Sequence, residues 1–427
     1  MNTVKKPLQV NPIKHSQPMG AALAFMGVKN CLPLMHGSKG CASFTKVFLT
    51  SHYNEPIAMY NTSVIDITAV LEGGYETILK AVENIINKYK FKPDLIGLHT
   101  TGLTETKGDD VKSVKNFIDI PYCYVNTPDF EGGMESGWAL ATKSLIEQFT
   151  EVKEEINYKK MLLLPNVSLQ PVEIEKIKSF CESFGFETYA LPDISTSLDG
   201  CLREGQGKLG NGDITLDDIK NLADSAYVVT IGESMKIAAD ALLEKNPKIK
   251  HKHFNSLTGL NATDNFVAFL MNISQKEPSE HIKKWRGRLL DAMLDTHFVI
   301  SDNKFVITGE PDMCYGISEL LYSVGAKIKA VIATTPSNVL KDIKAENALV
   351  GDLEDAESFL NECDMLISNF HGERILHSLG SNAKLIVRGF PNYEEFGNQL
   401  KNDQLYEGGA YFLFEVANIL NKELSHG

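Results

Sequence analysis

Between Gly74 and Lys90 the apolar side chains of Tyr75, Ile78, Leu79, Val82, Ile85, Ile86 and Tyr89 recur at intervals of three and four, the spacing of one buried helix face. This helix leads through Lys92 and Pro93 into the run DLIGLHTTG, apolar on both alternating faces and closed by a glycine-bearing turn. A polar stretch from Asp109 to Ile118 reads as a second helix, and PYCYVNTP as a second strand. Helices alternating with strands that are apolar throughout mark a parallel sheet covered on both faces.

The alternation recurs twice. MLLLPN (161–166) is a strand, and 171–184 a helix with Val172, Ile174, Ile177, Phe180 and Phe184 inward and Gly185 as its cap. Strand ETYALPD, a glycine-rich loop from Thr196 to Asp213, a helix and strand AYVVTIG (226–232) follow. The third block runs through KFVITGE (304–310), helix ISELLYSVG, strands IKAVIATTP and ALVGDL, helix EDAESFLNE, and strands DMLISNFHG and AKLIVRGFP. Three such blocks predict an α/β protein of three Rossmann-like, doubly wound domains with mostly parallel sheets, whose sites lie beyond the carboxyl ends of the strands. Boundaries are expected near 150, where charged EVKEEINYKK intervenes, and near 295. The domains are then 1–150, with an N-terminal arm, 151–295, and 296–427, with a C-terminal helix. Pro7, Pro12 and Pro18 predict that the first 20 residues are extended up to the apolar run AALAFMGV (21–28).

Chemistry concentrates between Pro33 and His52. Cys41 follows Gly37 and Gly40 and precedes Phe44, Val47 and Phe48, whose spacing predicts the buried stripe of a helix. The thiol then stands at a helix N-terminus, where unpaired N–H groups and the macrodipole favour thiolate. Glycines beside it let backbone approach whatever the sulfur binds. Such a thiolate suits an iron–sulfur cluster, although a lone cysteine also serves as a small buried hydrophobe.

The formal charge of −13 argues against a nucleic-acid binder, which needs a basic face. Seven cysteines, at 31, 41, 123, 181, 201, 314 and 363, include no CxxC pair. Neither a disulfide framework nor a self-contained zinc or ferredoxin-type site is expected. The N-terminus carries no apolar leader and no run reaches about 18 apolar residues, so a cytoplasmic location without a membrane span is expected.

Other motifs read as structure. Gly205, Gly207 and Gly210 satisfy GxGxxG, but no strand precedes them and no acidic residue is placed for a ribose. His99 sits where a strand meets its loop; His297 and His371 have no metal-ligand spacing, and all three read as structural. Asp291, Asp295, Asp352, Glu354 and Asp355 read as caps and solvated faces. Cys181 and Cys363 read as core, Cys31 as a remote candidate for the cluster, and Cys123, Cys201 and Cys314 have no supporting context.

NPIKHSQPMGAALAFMGVKNCLPLMHGSKGC (11–41) resembles the β-type subunits of the nitrogenase component 1 superfamily, in the branch that builds the iron–molybdenum cofactor. The likeness continues in EPIAMYNTS (55–63), IGLHTTGLTETKGDD (96–110), YVNTPDFEGGMESGW (124–138), PDISTSLDG (192–200), DAMLDTHF (291–298), VGDLED (350–355) and RGFPNYEEFG (388–397), and so covers nearly the whole chain. In the catalytic β subunit three cysteines hold the eight-iron P-cluster, in segments similar to HSQPMGA, HGSKGC and TTGLTE. Here only Cys41 is retained, with Ser16 and Gly102 in the other two places.

The resemblance implies that Cys41 is the metal ligand by which this chain completes a 4Fe–4S cluster shared with a NifE-like α-type subunit. About four thiolates hold such a cluster and one is offered here, which places the cluster at an interface. The resemblance further implies an α2β2 heterotetramer that is a scaffold and not an enzyme. It takes an iron–molybdenum cofactor precursor from NifB, holds it while the Fe protein NifH matures it, and passes it to the nitrogenase apoprotein. Alternatives within the superfamily are the β subunit of a nitrogenase or related reductase, which would want the missing thiols, and the scaffold of the vanadium system. A metabolite-binding protein of three Rossmann-like domains, with no iron and no stable partner, is the alternative outside it.

Overall fold

The computed structural model describes residues 12–53, 57–62, 74–204, 207–393 and 395–421. Its strands form three sheets, and every ladder in them is parallel. The first sheet takes β1 (Cys31–His36), β2 (Tyr60–Asn61), β3 (Leu95–Thr100) and β4 (Tyr122–Val125) in the order β2-β1-β3-β4. The second takes β5 (Asn157–Pro165), β6 (Glu187–Ala190), β7 (Ser225–Ile231) and β8 (Lys250–Phe254) in the order β6-β5-β7-β8. The third takes β9 (Lys304–Gly309), β10 (Lys327–Ala333), β11 (Asn347–Val350), β12 (Met365–Ser368) and β13 (Lys384–Val387) in the order β11-β10-β9-β12-β13. Strands β1, β3 and β7 are buried at every position, as apolar runs inside helix-covered parallel sheets must be.

The helices that matter for the site are α1 (Gln17–Met26), α2 (Lys39–Tyr53), α3 (Gly74–Tyr89), α4 (Gly102–Lys107) and α5 (Met134–Phe149). In the later sheets they are α6 (Pro171–Ser183), α7 (Lys236–Lys245), α8 (Leu260–Ser274), α9 (Glu280–Ile300), α10 (Pro311–Ser323), α11 (Leu353–Leu360), α12 (His371–Leu379) and α13 (Leu405–Asn421). Three expectations are corrected. The segment before Ala21 is not extended throughout: α1 starts at Gln17, takes Pro18 into its first turn where a missing N–H costs nothing, and is buried at all ten residues. It can be so deep because it meets α5 through glycines. A Cβ on Gly20 would stand 2.0 Å from the Met134 carbonyl oxygen, and one on Gly137 2.0 Å from that of Gln17. Residues 1–11 of the expected arm lie outside the described residues.

The second correction concerns Asp109–Ile118, which holds only a short 3-10 turn, Ser113–Asn116. Gly108, at φ +74°, ends α4, and the Asp109 side chain turns inward to His36 instead of facing solvent on a helix. The third, the stripe of α2, belongs to the site below. Between Gly232 and Lys304, where the apolar pattern gives no element, α7, β8, α8 and α9 complete the second sheet and lead to the third.

One core joins the sheets: Trp138 of α5 is fully buried and donates its indole N–H to the Pro165 carbonyl at 2.8 Å, at the end of β5. The glycine-rich loop has a structural task in the same seam. Gly210 N–H donates to Cys31 O (2.8 Å), Asn30 N–H to Gly210 O (2.9 Å) and Lys29 N–H to Ile214 O (2.8 Å), which ties the second sheet to the start of β1. Gly205 lies outside the described residues. The division at 150 and 295 is our proposal from these sheets; residue 295 falls within α9, along which α13 returns to pack.

Candidate metal centre

Strands β1 and β3 are neighbours in register, with His36 opposite Thr100 at their carboxyl ends. Two glycine-bearing turns leave from there side by side. After β1 the chain passes Gly37 and Ser38 and enters α2 at Lys39, so that Cys41 lies in the first turn of a 15-residue helix. Ser38 caps this turn: its Oγ accepts the Cys41 N–H and donates to Cys41 Sγ, each at 3.4 Å. Gly37 is required by packing, since a Cβ would lie 2.5 Å from Thr101 Cγ2, whereas one on Gly40 would meet only Ser38 Oγ at 3.7 Å.

The turn rests on a buried polar network. His36 Nδ1 lies 3.0 Å from Thr62 Oγ1 and Nε2 2.9 Å from Asp109 Oδ2, which also holds Lys107 Nζ at 3.1 Å through Oδ1. Burial pushes the Asp109 carboxyl up, but the hydrogen bonds from His36 and Lys107 outweigh it and hold the group below its ordinary value. Thr104 Oγ1 donates to His36 O at 2.9 Å, and Gly37 N–H to Thr62 Oγ1 at 3.2 Å.

The helix after Cys41 does not bury the stripe its spacing predicts. Phe44 is 67% exposed, Val47 55%, and Phe48 is half-buried; the inward face is Ala42, Thr45, Leu49, His52 and Tyr53. Both faces carry a helical period, and the pattern alone cannot tell which one meets the chain's own core. The outer face is apolar and continuous: Phe44 stacks on Phe48 (6.4 Å), and Phe48 reaches His15 (5.1 Å) and Tyr393 (6.4 Å). Phe130, 67% exposed, lies against Gly102, where a Cβ would come within 3.1 Å of its ring.

The segments bearing Ser16, Cys41 and Gly102 adjoin. Gly37 packs on Thr101 beside Gly102, and His15 beside Ser16 packs on α2. Ser16 is half-buried at the start of α1 and Gly102 is the buried first residue of α4. Cys31 does not join them. It is fully buried at the opposite end of β1, where burial pushes its thiol far up, as it does for Cys123, Cys181, Cys314 and Cys363. Cys201 is exposed on a loop.

His99 is a core residue, its pKa lowered to about 4 by burial. His297 Nδ1 pairs with Val324 O at 2.9 Å, and His371 stands among Phe370 and Tyr393. Asp352 caps α11, accepting the N–H groups of Glu354 and Asp355, while Asp291 and Asp295 are exposed. Among the described residues no group of three His, Cys, Asp or Glu could hold a metal ion. A soft, partly exposed thiol at a helix N-terminus fits what iron–sulfur chemistry asks of a ligand, and one sulfur alone does not complete a cluster.

Sequence reasoning missed a second polar centre. Asp312, at the start of α10, donates its N–H to Glu135 Oε1 of α5 (2.8 Å) and accepts from Glu233 N–H (2.8 Å) and Ser234 Oγ–H (2.6 Å) beside α7. Glu310 lies buried beside them. Burial raises Glu310 to about 7 and Asp312 to about 6. No motif announces this cluster, whose members come from all three sheets' surroundings. A cavity of about 770 Å³ between β8, α8 and α10 is separate from Cys41. No helix among the described residues is long and apolar enough to cross a membrane.

Residues 16–421 match the model of the nitrogenase component 1 type oxidoreductase family. The nitrogenase iron-molybdenum cofactor biosynthesis protein NifN of Rippkaea orientalis is 36% identical over 445 residues, covering 98% of this chain and 95% of its own length. Proteins of the same name from Rhizobium meliloti and Klebsiella pneumoniae are 36% and 31% identical, covering 96% and 99% of this chain and 94% and 93% of their own. A chain of nitrogenase Cp1, solved at pH 6.5, superposes with a TM-score of 0.91 at 28% identity over 99% of this chain and 96% of that one. Matched along nearly its whole length by these relatives, the chain belongs to the nitrogenase component 1 family and, within it, to the NifN proteins.

Proposed function

We propose that this chain is a non-enzymatic scaffold subunit in the biosynthesis of the iron–molybdenum cofactor. It pairs with a NifE-like α-type subunit in an α2β2 complex and supplies Cys41 as one ligand of a 4Fe–4S cluster at their interface. The complex holds the cofactor precursor supplied by NifB while NifH matures it, and then yields it to the nitrogenase apoprotein. The observation that carries the proposal is the setting of Cys41: it alone among the seven cysteines combines a helix N-terminus with partial exposure, beside the apolar Phe44, Val47 and Phe130 that face outward. An apolar surface of this kind is what a partner chain covers.

When bound, the cluster supplies one-electron transfer. This chain's own residues position the sulfur. Ser38 caps the first turn and donates to Sγ; Gly37 lets the turn sit on Thr101; the first-turn N–H groups favour negative charge. Ser16 and Gly102 leave no second thiol beside Cys41, which disfavours an eight-iron cluster and with it the catalytic β-subunit reading.

The test is iron content and EPR of the dithionite-reduced protein, prepared anaerobically alone and with a NifE-like partner. A four-iron signal appearing only with the partner, and lost in Cys41→Ala with pairing intact, is expected. Iron in the chain alone, or an unchanged signal in Cys41→Ala, would overturn the assignment of Cys41.

A further inference from the structure

The cavity of about 770 Å³ opens beyond the carboxyl end of β8, where a parallel sheet receives its ligands, and its size is that of a small-molecule site. One wall is α8, which follows β8; the other is α10, which follows β9 of the third sheet. Buried Phe254 and Leu320 and half-buried Phe269 give it an apolar floor, on which the two rings meet edge to face at 6.1 Å.

The walls are polar. On α8, Asn261, Asn265 and Asn272 line the cavity at helical spacing, and on α10 Tyr315 and Glu319 stand one turn apart. Glu319 Oε1 is buried and, among the described residues, has no hydrogen-bond partner, although three asparagine amides line the same space. The helices stand too far apart there to satisfy each other.

The end next to β8 is oriented by a relay of hydrogen bonds. His253 Nε2 lies 2.6 Å from Asn255 Oδ1, and its Nδ1 lies 2.8 Å from Thr230 Oγ1. Burial lowers the His253 pKa, so the ring is neutral and its one N–H, on Nε2, goes to Asn255. Nδ1 then accepts the Thr230 hydroxyl, whose oxygen accepts from His251 Nε2 at 3.0 Å. With its carbonyl oxygen taken, Asn255 turns its amide N–H to Tyr315 Oη. A phenol that accepts in this way keeps its own hydrogen to donate.

The cavity thus offers an oriented donor at Tyr315, an unused acceptor at Glu319, and amides at Asn261 and Asn265 that give and take hydrogen bonds as a hydroxyl group does. Neighbouring hydroxyls match such a set. Positive charge enters with Lys252, whose Nζ stands 5.4 Å from the centre of the Phe254 ring, and the first turn of α8, which no side chain caps, adds to it.

We propose that this cavity is a binding site for a phosphorylated sugar, whose hydroxyls meet Tyr315, Glu319, Asn261 and Asn265 and whose phosphate lies toward Lys252. The site is independent of what Cys41 binds.

The full chain is titrated calorimetrically with ribose 5-phosphate, ribose and inorganic phosphate. Saturable binding of ribose 5-phosphate, tighter than that of ribose or of phosphate, is expected. Asn265→Ala and Tyr315→Phe should each weaken it by about threefold to tenfold, the loss of one hydrogen bond. Lys252→Ala should remove most of the preference for ribose 5-phosphate over ribose. Asn265→Trp fills the cavity from an exposed helix position, and should abolish binding while thermal unfolding stays that of the parent. No binding of ribose 5-phosphate up to about 10 mM, an affinity unchanged in Asn265→Trp, or equal affinities for ribose and ribose 5-phosphate would overturn the proposal. So would adenosine monophosphate binding more than about tenfold tighter than ribose 5-phosphate, which would make the ligand a nucleotide.

Discussion

Single residues shape the turn that carries Cys41, and their roles divide between sulfur and support. The reading of Cys41 as a ligand came from the resemblance, whereas its place at a helix N-terminus was legible in the sequence from the glycines before it and the helical period after it. The support beneath it was not: His36 and Asp109 are 73 residues apart and meet only because β1 and β3 are neighbours. Asp109→Asn would remove the charged partner of a buried histidine, and a loss of about 1–3 kcal/mol at pH 7 is expected in urea unfolding. Because the Asp109 pKa is lowered in the folded chain, this contribution is complete above the ordinary carboxyl value near about 4 and is lost as the pH falls from there through the lower folded value. The deficit of Asp109→Asn should therefore shrink below about pH 4.

At the scale of elements, the period of apolar residues identified helices well and their orientation poorly. Helix α2 shows why: Phe44, Val47 and Phe48 are the obvious stripe, yet the chain buries Ala42, Thr45 and Leu49 instead and leaves the larger side chains outward. An outward apolar face has the same period as one that meets the core. Helix α1 shows the converse, buried on all sides so that no polar face marks it. Its crossing with α5 depends on Gly20, where a Cβ would lie 2.0 Å from Met134 O. Gly20→Ala should separate the helices and lower stability by about 1–3 kcal/mol or more. Gly40→Ala, whose Cβ meets nothing closer than 3.7 Å, should change it by less than about 0.5 kcal/mol, and thermal unfolding of the two variants makes the comparison.

At the scale of the whole molecule, buried acids join the parts. Glu135, Glu310 and Asp312 draw on α5, the start of α10 and, through Glu233 and Ser234, the end of β7. Burial raises Glu310 from 4.5 to about 7. A carboxyl raised on folding contributes its full stability below its unfolded value and loses it as the pH rises through the folded one, here between about 4.5 and 7. Glu310→Gln, which cannot ionise, should match the parent near pH 4.5 and exceed it by on the order of 2 kcal/mol at pH 8. Equal stability of the two at pH 8 would remove Glu310 from this account.

The three parallel sheets, the place of Cys41 at a helix N-terminus and the absence of thiols at Ser16 and Gly102 were all set by the sequence. These are local facts: strand and helix periods, glycine turns and side-chain identity are set within a few residues. Only the packing of the sheets settled which face of α2 and of α9 looks outward, that Cys31 lies at the far end of β1 from Cys41, and that His36 meets Asp109 beneath the turn that carries Cys41. It also brought Glu135 to Asp312 across 177 residues. Such choices depend on which surfaces remain after the sheets have packed, and on the burial that shifts a carboxyl or a thiol, neither of which is written in the spacing of residues along the chain.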